Sequence, residues 1–580
     1  MATKYYVTDT NLSERFPLYT RANVGEVFPD PVTPLSGGSV LWQAEEGWRD
    51  AWVRMGAFDA NEFPADWCQL AVVGGYCYLN ASLIRLFGVR APGLTWQDMD
   101  AQFFGAQPSI PSYIEYPGDE RLDLTEKIGG TFGWVLGQHS LSALSELTED
   151  RESTKKVRAE RPDFSAMTEA ELWAKFNDLM PSHRVLFSHH LFATYMATVP
   201  VGIISAVATA VGRPDLILPL LAGIGEVDSA APSHAMWSLG RRIAGSAQLS
   251  SEFNDGVVGL LHRLQSSGSA DALAFLAEFD AFGLEFGSRG PNEWEMRSPT
   301  WETRPELALS AIDRMRFAST EQDPATMNAS RANDRAAAAV TLLAMVESDP
   351  ATHGQLGAAI AATKAWLPGR ERTKTNNIRL IHEMRMTMRE LGRRMMAKGA
   401  FDEIEDFGFV TFEEWPACMA DPTSFTADVR ARRAEYAKLL ELTPPFVFDG
   451  QPEAPSTWAR RDAASENKLG LGDVLMGLPG CSGVVEGRAR VILDSNDPTD
   501  LDPGDILVAP ITDPSWTPLF VPAAGVVVDV GAPLSHAIIV SRELGIPCVI
   551  SATDATRRIP NGARVRVDGN TGAVTILEMP

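Results

Sequence analysis

Apolar residues recur at helical spacing through most of the first three quarters of the chain. Ala-, Leu- and Met-rich segments with this period predict helices over 184–212, 230–247, 270–283, 304–347, 354–400 and 424–441. The first hundred residues are more irregular and rich in aromatic side chains, which we expect mainly in a core, with some lining a pocket. The pattern therefore predicts a mainly α-helical domain over residues 1–442.

The pattern changes after residue 442. Residues 443–471 are rich in Pro and Gly with few apolar anchors, which predicts a linker or hinge. Beyond them, short β-branched segments alternate with one clear helix, which predicts a small α/β domain over 472–580. A chain of 580 residues is also too long for one core, so the fold class is multidomain.

Composition narrows the function classes. Hydrophobic content of 45% and charged content of 22% are ordinary for a globular protein. Lys+Arg 51 against Asp+Glu 75 gives a net charge of −24, which disfavours nucleic acid and anionic membranes as partners. A local basic pocket for a phosphate ligand remains compatible with this charge.

Cysteine usage indicates a reducing compartment. The five cysteines form no C-x-x-C pair, which argues against a zinc site or a disulfide framework. Residues 1–17 lack the apolar core of a signal peptide, and no run of eighteen apolar residues occurs, so we expect a cytoplasmic protein. The cluster His183, His189 and His190 lacks acidic or Cys ligands at suitable spacing, so ordinary core or surface histidines are favoured over a metal site.

One histidine has the surroundings of a reactive group. Residues 525–530 are predicted as a buried strand, Gly531 opens a loop, and Ser535 is placed to cap a helix over His536–Leu544, which Gly545 ends. A histidine in the first turn lies beside free N–H groups and the positive end of the helix dipole. Both would stabilise an added phosphoryl group and keep the ring neutral and nucleophilic.

The segment from Gly531 to Pro547 resembles the phosphohistidine loop of the PEP-utilising, dikinase-type swivelling domain. The similarity extends to Gly480–Val491 and to Val565–Gly572. The resemblance implies that His536 carries a phosphoryl group between two remote active sites. It also implies that Gly531, Ser535 and Arg542 belong to the phosphohistidine loop.

Upstream segments resemble the acceptor-binding domain of rifampin phosphotransferases and phenylphosphate-synthase-like proteins. These segments are Thr20–Leu35, Phe286–Glu293 and Ser298–Trp301. The family usually has a histidine where Ser288 stands. The resemblance implies substrate-binding roles for Arg289 and Glu293, although a structural salt bridge would explain this pair equally well.

The run from Arg370 to Asn376 resembles the acceptor-site segment of the same enzymes, which implies catalytic roles for Arg370, Glu371 and Lys374. Asn376 would bind substrate where the family often has Gln. Residues three and four apart share a helix face, so two cations and a carboxylate can converge on a phosphoryl group in transfer. The alternative is a solvated basic face, since further arginines follow on the same helix: Arg379, Arg385, Arg389, Arg393 and Arg394.

Nothing in the chain matches an ATP site of the G-x-x-x-x-G-K-[ST] kind, and neither an ATP-grasp module nor a PEP-binding barrel is recognisable. The resemblance therefore implies a split enzyme in which a separate ATP-grasp subunit binds ATP and Mg²⁺ and phosphorylates His536. Split systems of this type act on phenols, as phenylphosphate synthase and the 4-cresol-phosphorylating synthase do. They would yield an aryl phosphate, AMP and phosphate.

Two alternatives stay open: an antibiotic phosphotransferase subunit, and a non-catalytic phosphohistidine carrier or regulatory protein. A preformed apolar cavity beside Arg370 and Lys374 would favour an enzyme. A solid helical bundle there would favour a docking role.

Overall fold

Two long helices form the spine of the N-terminal domain. In the computed structural model, which describes residues 4–580 except 105–109, 226, 318–319, 321–322, 462–467, 494–500, 513–515 and 532–534, these are Glu169–Ala210 and Pro350–Ala397. They pack against each other more extensively than any other pair of described elements. Pro200 and Pro368 lie inside them and are buried. The functional side chains described below project from this spine.

The Glu169–Ala210 helix is long and apolar enough to span a membrane by length and composition. Half of its most apolar window is, however, buried inside the protein. It also contacts both Pro350–Ala397 and Trp42–Met55, as expected of a core helix.

The remaining helices are distributed over the two domains. The longer ones are Trp42–Met55, Ala81–Arg90, Trp96–Phe103, Leu122–Leu136, Ser145–Ala159, Ala231–Ala244, Ala247–Asn254, Leu260–Ser267, Ala270–Phe286, Glu306–Met315, Pro324–Met345, Thr426–Leu440 and His536–Leu544. Short helical turns are Val24–Val27, Pro34–Ser36, Gly37–Leu41, Ala60–Glu62, Leu141–Ala143, Phe164–Ala166, Pro214–Leu216, Ile217–Leu220, Ile404–Phe409, Trp415–Ala420, Pro422–Phe425, Pro455–Thr457, Thr517–Phe520 and Ala555–Arg558.

The helical periodicity predicted most of these segments but missed some. Ser145–Ala159 is strongly charged and buries only Leu147, Thr154 and Arg158, so it carries no clear apolar stripe. The predicted helix 304–347 is two helices, because Asp323 accepts hydrogen bonds at the start of the second helix and Pro324 occupies its first turn.

The predicted linker over 443–471 is partly wrong. Val447–Asp449 is the edge strand of a four-stranded antiparallel sheet, in the spatial order Leu70–Val73, Tyr76–Asn80, Leu18–Thr20 and Val447–Asp449. Phe448 stacks on Tyr19 with ring centroids 5.5 Å apart, and Ala459–Arg460 pairs with Leu442–Thr443. These contacts fix residues up to 460 to the helical domain, whereas 462–467 of the predicted linker lie outside the described residues.

The C-terminal domain is built on an eight-stranded mixed sheet, as the predicted α/β class requires. Its spatial order is Val474–Met476, Ala573–Glu578, Arg564–Asp568, Val484–Val491, Ile506–Ala509, Gly525–Val528, Cys548–Ile550 and Leu478–Cys481. Neighbouring strands from Val484–Val491 to Cys548–Ile550 are parallel. The chain leaves two of these strands at the same edge, which brings Thr512 and His536 together.

The C-terminal domain is docked on the helical domain. Pro324–Met345 packs on His536–Leu544, and Glu306–Met315 packs on Thr517–Phe520. One apolar cluster, which includes Trp237, Phe282, Phe520 and Val540, crosses this contact. The docked arrangement turns the start of the His536 helix toward the helical spine.

Candidate phosphohistidine and acceptor site

His536 is the first residue of its helix, at the bounds that the sequence predicted. Its Nδ1 lies 3.2 Å from the Thr512 hydroxyl, and only 7% of the residue is exposed. Burial, together with the charges of Lys374, Arg289 and Arg370, holds the pKa of His536 well below its ordinary value. The ring is therefore neutral near pH 7, as a nucleophile toward phosphorus must be.

The helix start is suited to an anion. Ser535 occupies the N-cap position without making a side-chain cap, and its Oγ is buried with no hydrogen-bond partner among the described residues. Backbone N–H groups of the first turn and the helix dipole favour a phosphoryl group at this position. Residues 532–534 of the phosphohistidine loop lie outside the described part of the chain.

The Pro350–Ala397 helix presents the acceptor-side groups to the same space. Arg370 Nη1 is 2.7 Å from Glu371 Oε1, and Lys374 Nζ is 3.8 Å from Glu293 Oε1. The Nε of Arg370 is buried and, among the described residues, has no partner. The two cations thus retain hydrogen-bonding capacity for an incoming phosphoryl group.

A cavity of about 90 Å³ separates His536 from these groups. One water needs about 10–15 Å³ of such space, so the cavity has room for a small ring compound. Its walls are largely apolar, and three aromatic side chains that contribute to them are Trp48, Phe187 and Trp294. The lining also includes these residues with polar or charged side chains: Asn23, Glu26, His190, Thr194, Arg370, Glu371, Lys374, Thr512 and His536.

Glu26 and His190 are titratable lining residues that were not selected from the sequence as site residues. Burial raises the pKa of Glu26 to about 7, against the opposing charges of Arg370 and Lys374. Burial and the same two cations hold the pKa of His190 well below its ordinary value. Glu26 lies inside the Thr20–Leu35 segment, where a carboxylate among apolar residues was an available signal, whereas His190 drew attention only as a rejected metal ligand.

Several predicted site residues lie outside the cavity lining. Arg289 and Glu293 form a buried salt bridge at 2.8 Å, adjacent to the cavity through Lys374. Asn376 is fully buried, and its Nδ2 lies 3.5 Å from the Leu147 carbonyl oxygen.

Two residues of the predicted phosphohistidine loop also lie elsewhere. Arg542 lines a separate cavity beside Cys481 and Ser482, and burial lowers its pKa to about 10. Gly531 packs tightly on Ile550, where a Cβ would come within 3.0 Å of the isoleucine.

The alternative of a solvated basic face is wrong for the middle of the Pro350–Ala397 helix. Arg379 and Arg385 are 2% and 1% exposed, because they are held by Glu285 and by backbone carbonyl groups respectively. Sequence spacing alone did not reveal what packs over this face.

The other histidines have ordinary partners. His183 bonds to Asn377 and to the Val40 carbonyl oxygen, and His189 bonds to Asp150. Across the described ranges, no three His, Cys, Asp or Glu side chains are grouped as metal ligands. The five cysteines are all buried and free.

Comparison with known proteins supports the predicted family. Residues 501–572 match the mobile domain of PEP-utilising enzymes, and residues 189–371 match the fourth domain of rifampicin phosphotransferase. The first segment contains His536, and the second ends at Glu371. The predicted resemblance to both families is confirmed, whereas the link to a cresol-phosphorylating enzyme stays a prediction.

Three relatives differ in their identity to this chain and in the share of each protein that is aligned. An uncharacterised protein of Mycobacterium tuberculosis is 36% identical over 295 residues, which is 50% of this chain and 30% of that protein. A rifampicin phosphotransferase of Streptomyces sviceus is 42% identical over 184 residues, 32% of this chain and 20% of the enzyme. The prodigiosin-synthesising transferase PigC of Serratia marcescens is 33% identical over 312 residues, 52% and 33% of the two chains. The chain thus spans about a fifth to a third of these relatives' lengths.

Proposed function

We propose that this chain, a rifampicin phosphotransferase-like protein with the mobile domain of PEP-utilising enzymes, is the carrier and acceptor part of a split dikinase-type phosphotransferase. His536 would accept a phosphoryl group elsewhere and deliver it to an acceptor hydroxyl in the cavity. The observation that carries the proposal is the shared cavity, which His536, Arg370, Glu371 and Lys374 all line.

The chain's own residues support delivery in three ways. Thr512 engages Nδ1 of His536, which supports Nε2 as the nitrogen that would carry the phosphoryl group. Arg370 and Lys374 would neutralise the charge on the phosphoryl oxygens, Arg through two parallel bonds and Lys as a point charge. Docking excludes bulk water from the transfer, so positioning and electrostatics can supply most of the catalysis.

The cavity supports a small aromatic acceptor. A cavity of about 90 Å³ is nearer the size of a one-ring phenol such as 4-cresol than that of a macrocyclic antibiotic. The walls carry Trp48, Phe187 and Trp294, whose rings favour an apolar, planar ligand. The phenolic class is therefore preferred over the antibiotic alternative.

ATP and Mg²⁺ are assigned to a separate ATP-grasp subunit. This assignment is part of the proposal and rests on the resemblance to dikinase-type enzymes. The overall reaction would convert ATP, water and the phenol to AMP, phosphate and the aryl phosphate. Cysteine usage favours the cytoplasm as its location.

A non-catalytic carrier is the second candidate. Such a protein would need only a docking surface for the phosphohistidine domain. The apolar cavity with convergent charged groups favours the enzyme, because a docking surface has no need of an enclosed ligand space.

The test combines the chain with the ATP-grasp subunit, ATP, Mg²⁺ and a panel of phenols. Intact mass would detect acid-labile phosphorylation of His536, and AMP release would report turnover. We expect one phenol to discharge the label while AMP accumulates. A label that no phenol discharges would favour the carrier, and absence of labelling with a subunit shown to bind ATP would overturn the proposal.

A further inference from the structure

Glu26 lies in the cavity wall at the contact between the two domains. It belongs to the short helix Val24–Val27, and its carboxylate accepts a hydrogen bond from the backbone N–H of His536. Although the residue as a whole is only partly buried, its Oε1 is buried and has no hydrogen-bond partner among the described residues. An orphaned carboxylate oxygen facing a ligand cavity is costly unless a ligand or a proton satisfies it.

The other carboxylate of the cavity is already engaged. Glu371 lies 2.7 Å from Arg370, in an ion pair that fixes the guanidinium. Oε1 of Glu371 already accepts a hydrogen bond from the Arg370 guanidinium, whereas Oε1 of Glu26 has no partner among the described residues. Glu26 is therefore better placed than Glu371 to take a proton.

We propose that Glu26 is the general base that accepts the proton of the acceptor hydroxyl. The inference rests on the proposed function and names a further catalytic residue for it. In the transfer, the phosphohistidine carries a proton on Nδ1, held by Thr512. The hydroxyl oxygen forms a bond to phosphorus as the P–Nε2 bond breaks, and its proton passes to Glu26. The electron pair of the broken bond returns to Nε2, which leaves a neutral imidazole, and Glu26 releases its proton when the domains separate.

The charged and titratable groups around Glu26 allow its ionisation to be followed. Those on neighbouring elements are Arg370, Glu371 and Lys374 on one long helix, His190 on the other, and His536 on the docked domain. The pKa of His190 lies well below 6.5, and so does that of His536 before it is phosphorylated. Since Glu26 has a pKa of about 7, a rate that rises through neutral pH is assigned to its carboxylate.

The test follows one transfer in the full chain without the ATP-grasp subunit. Phosphoramidate charges His536, intact mass verifies the charge, and 4-cresol or phenol is then added over the range from about pH 5.5 to about pH 8.5. General-base catalysis contributes about 10²–10⁴-fold, so we expect Glu26→Gln to slow discharge by that factor and to remove the rise near pH 7. Glu26→Asp should restore part of both.

Glu371→Gln is the matched control. It should slow discharge, because Arg370 loses its partner, but keep the rise through about pH 7. If Glu26→Gln discharges at the wild-type rate with the wild-type pH profile, the role of Glu26 is overturned and the proposed function stands. If charged wild-type protein transfers nothing to either phenol, the proposed function fails and the role of Glu26 falls with it.

Discussion

Two parts of the Pro350–Ala397 helix carry arginines in different surroundings. At the cavity, Arg370 keeps a guanidinium nitrogen without a partner among the described residues, and Lys374 lies at 3.8 Å from its nearest carboxylate. Fifteen residues beyond Arg370, Arg385 donates to the carbonyl oxygens of Met296, Glu293 and Glu295 at 2.7–3.0 Å. Both parts of the helix are rich in basic residues, but of the two only the part with Arg370 and Lys374 faces the cavity.

This difference distinguishes cations that stabilise the fold from cations that can bind a ligand. A buried cation whose hydrogen bonds are all used stabilises the fold and has nothing left for a ligand. A cation with spare donors beside a cavity is costly to the fold and useful to a ligand. Four substitutions test this distinction. For each one the question is whether it changes the unfolding free energy or the phosphoryl transfer, acceptor binding included.

The largest effect is expected at Arg385. Arg385→Met leaves three buried carbonyl groups without their donor, which should cost about 3–5 kcal/mol of unfolding free energy. Denaturant unfolding measures this loss. Single-turnover discharge, measured where the variant is still folded, should stay within a few-fold of wild type. If Arg385→Met kept its stability but lost the transfer activity, the distinction between the two parts of the helix would be contradicted.

Lys374→Gln should slow the phosphoryl transfer and leave the unfolding free energy nearly unchanged. Removing one group that stabilises developing charge typically costs about 10²–10³-fold in rate, so discharge of phosphorylated His536 should slow by that factor. Stability should change little, because among the described residues Lys374 makes a single, long ion pair. Lys364→Gln on the same helix is the matched control, since Lys364 is exposed and should affect neither quantity. Equal effects from both lysines would contradict a specific role.

The sequence predicted the features that depend on neighbouring residues. It missed those that depend on residues distant in the chain. The helix His536–Leu544 was predicted at its observed bounds because the strand, the loop, Ser535 and Gly545 are all local signals. The burial of Arg385 was missed because it depends on the carbonyl groups of the 293–296 turn, some ninety residues away in the chain.

The same reason explains the other omissions. Val447–Asp449 became a strand only by pairing with Leu18–Thr20, more than 400 residues earlier. The pKa of Glu26 is raised by burial, which depends on elements far from it in the chain. Periodicity and capping identify elements, but they do not tell which distant element covers them.

The unfolding free energy should also depend on pH through His382, which lies in the same part of the helix as Arg385. Burial lowers the pKa of His382 to about 3, although its hydrogen bond to Glu302 at 2.8 Å opposes this. Because the folded pKa lies below the unfolded value, its stabilising contribution is complete above about pH 6.5 and is lost as the pH falls toward 3. At pH 5 the loss is about 2 kcal/mol.

His382→Gln should therefore flatten the stability curve between about pH 6.5 and about pH 4.5, which denaturant unfolding at several pH values would measure. Below that window, Glu302 contributes to the loss as well. Burial opposes the lowering of its pKa, but hydrogen bonds from His382 and Arg161 hold it well below the ordinary value. A slope unchanged by the substitution would assign the acid sensitivity to other groups.

The smallest effect is expected at Thr194. This residue lines the cavity, and within the described chain its buried Oγ1 has no hydrogen-bond partner, so a bound acceptor can supply one. Thr194→Val keeps the shape and removes the hydroxyl, which should weaken acceptor binding by about 1 kcal/mol, or about fivefold, while the saturated transfer rate is unchanged. Thr198→Val is the control, since that hydroxyl already bonds to the Tyr195 carbonyl oxygen on its own helix. Acceptor titration of the charged protein measures both variants. Tighter binding in Thr194→Val would mean that the acceptor meets this wall with an apolar edge, and the polar lining would then belong wholly to the phosphoryl side.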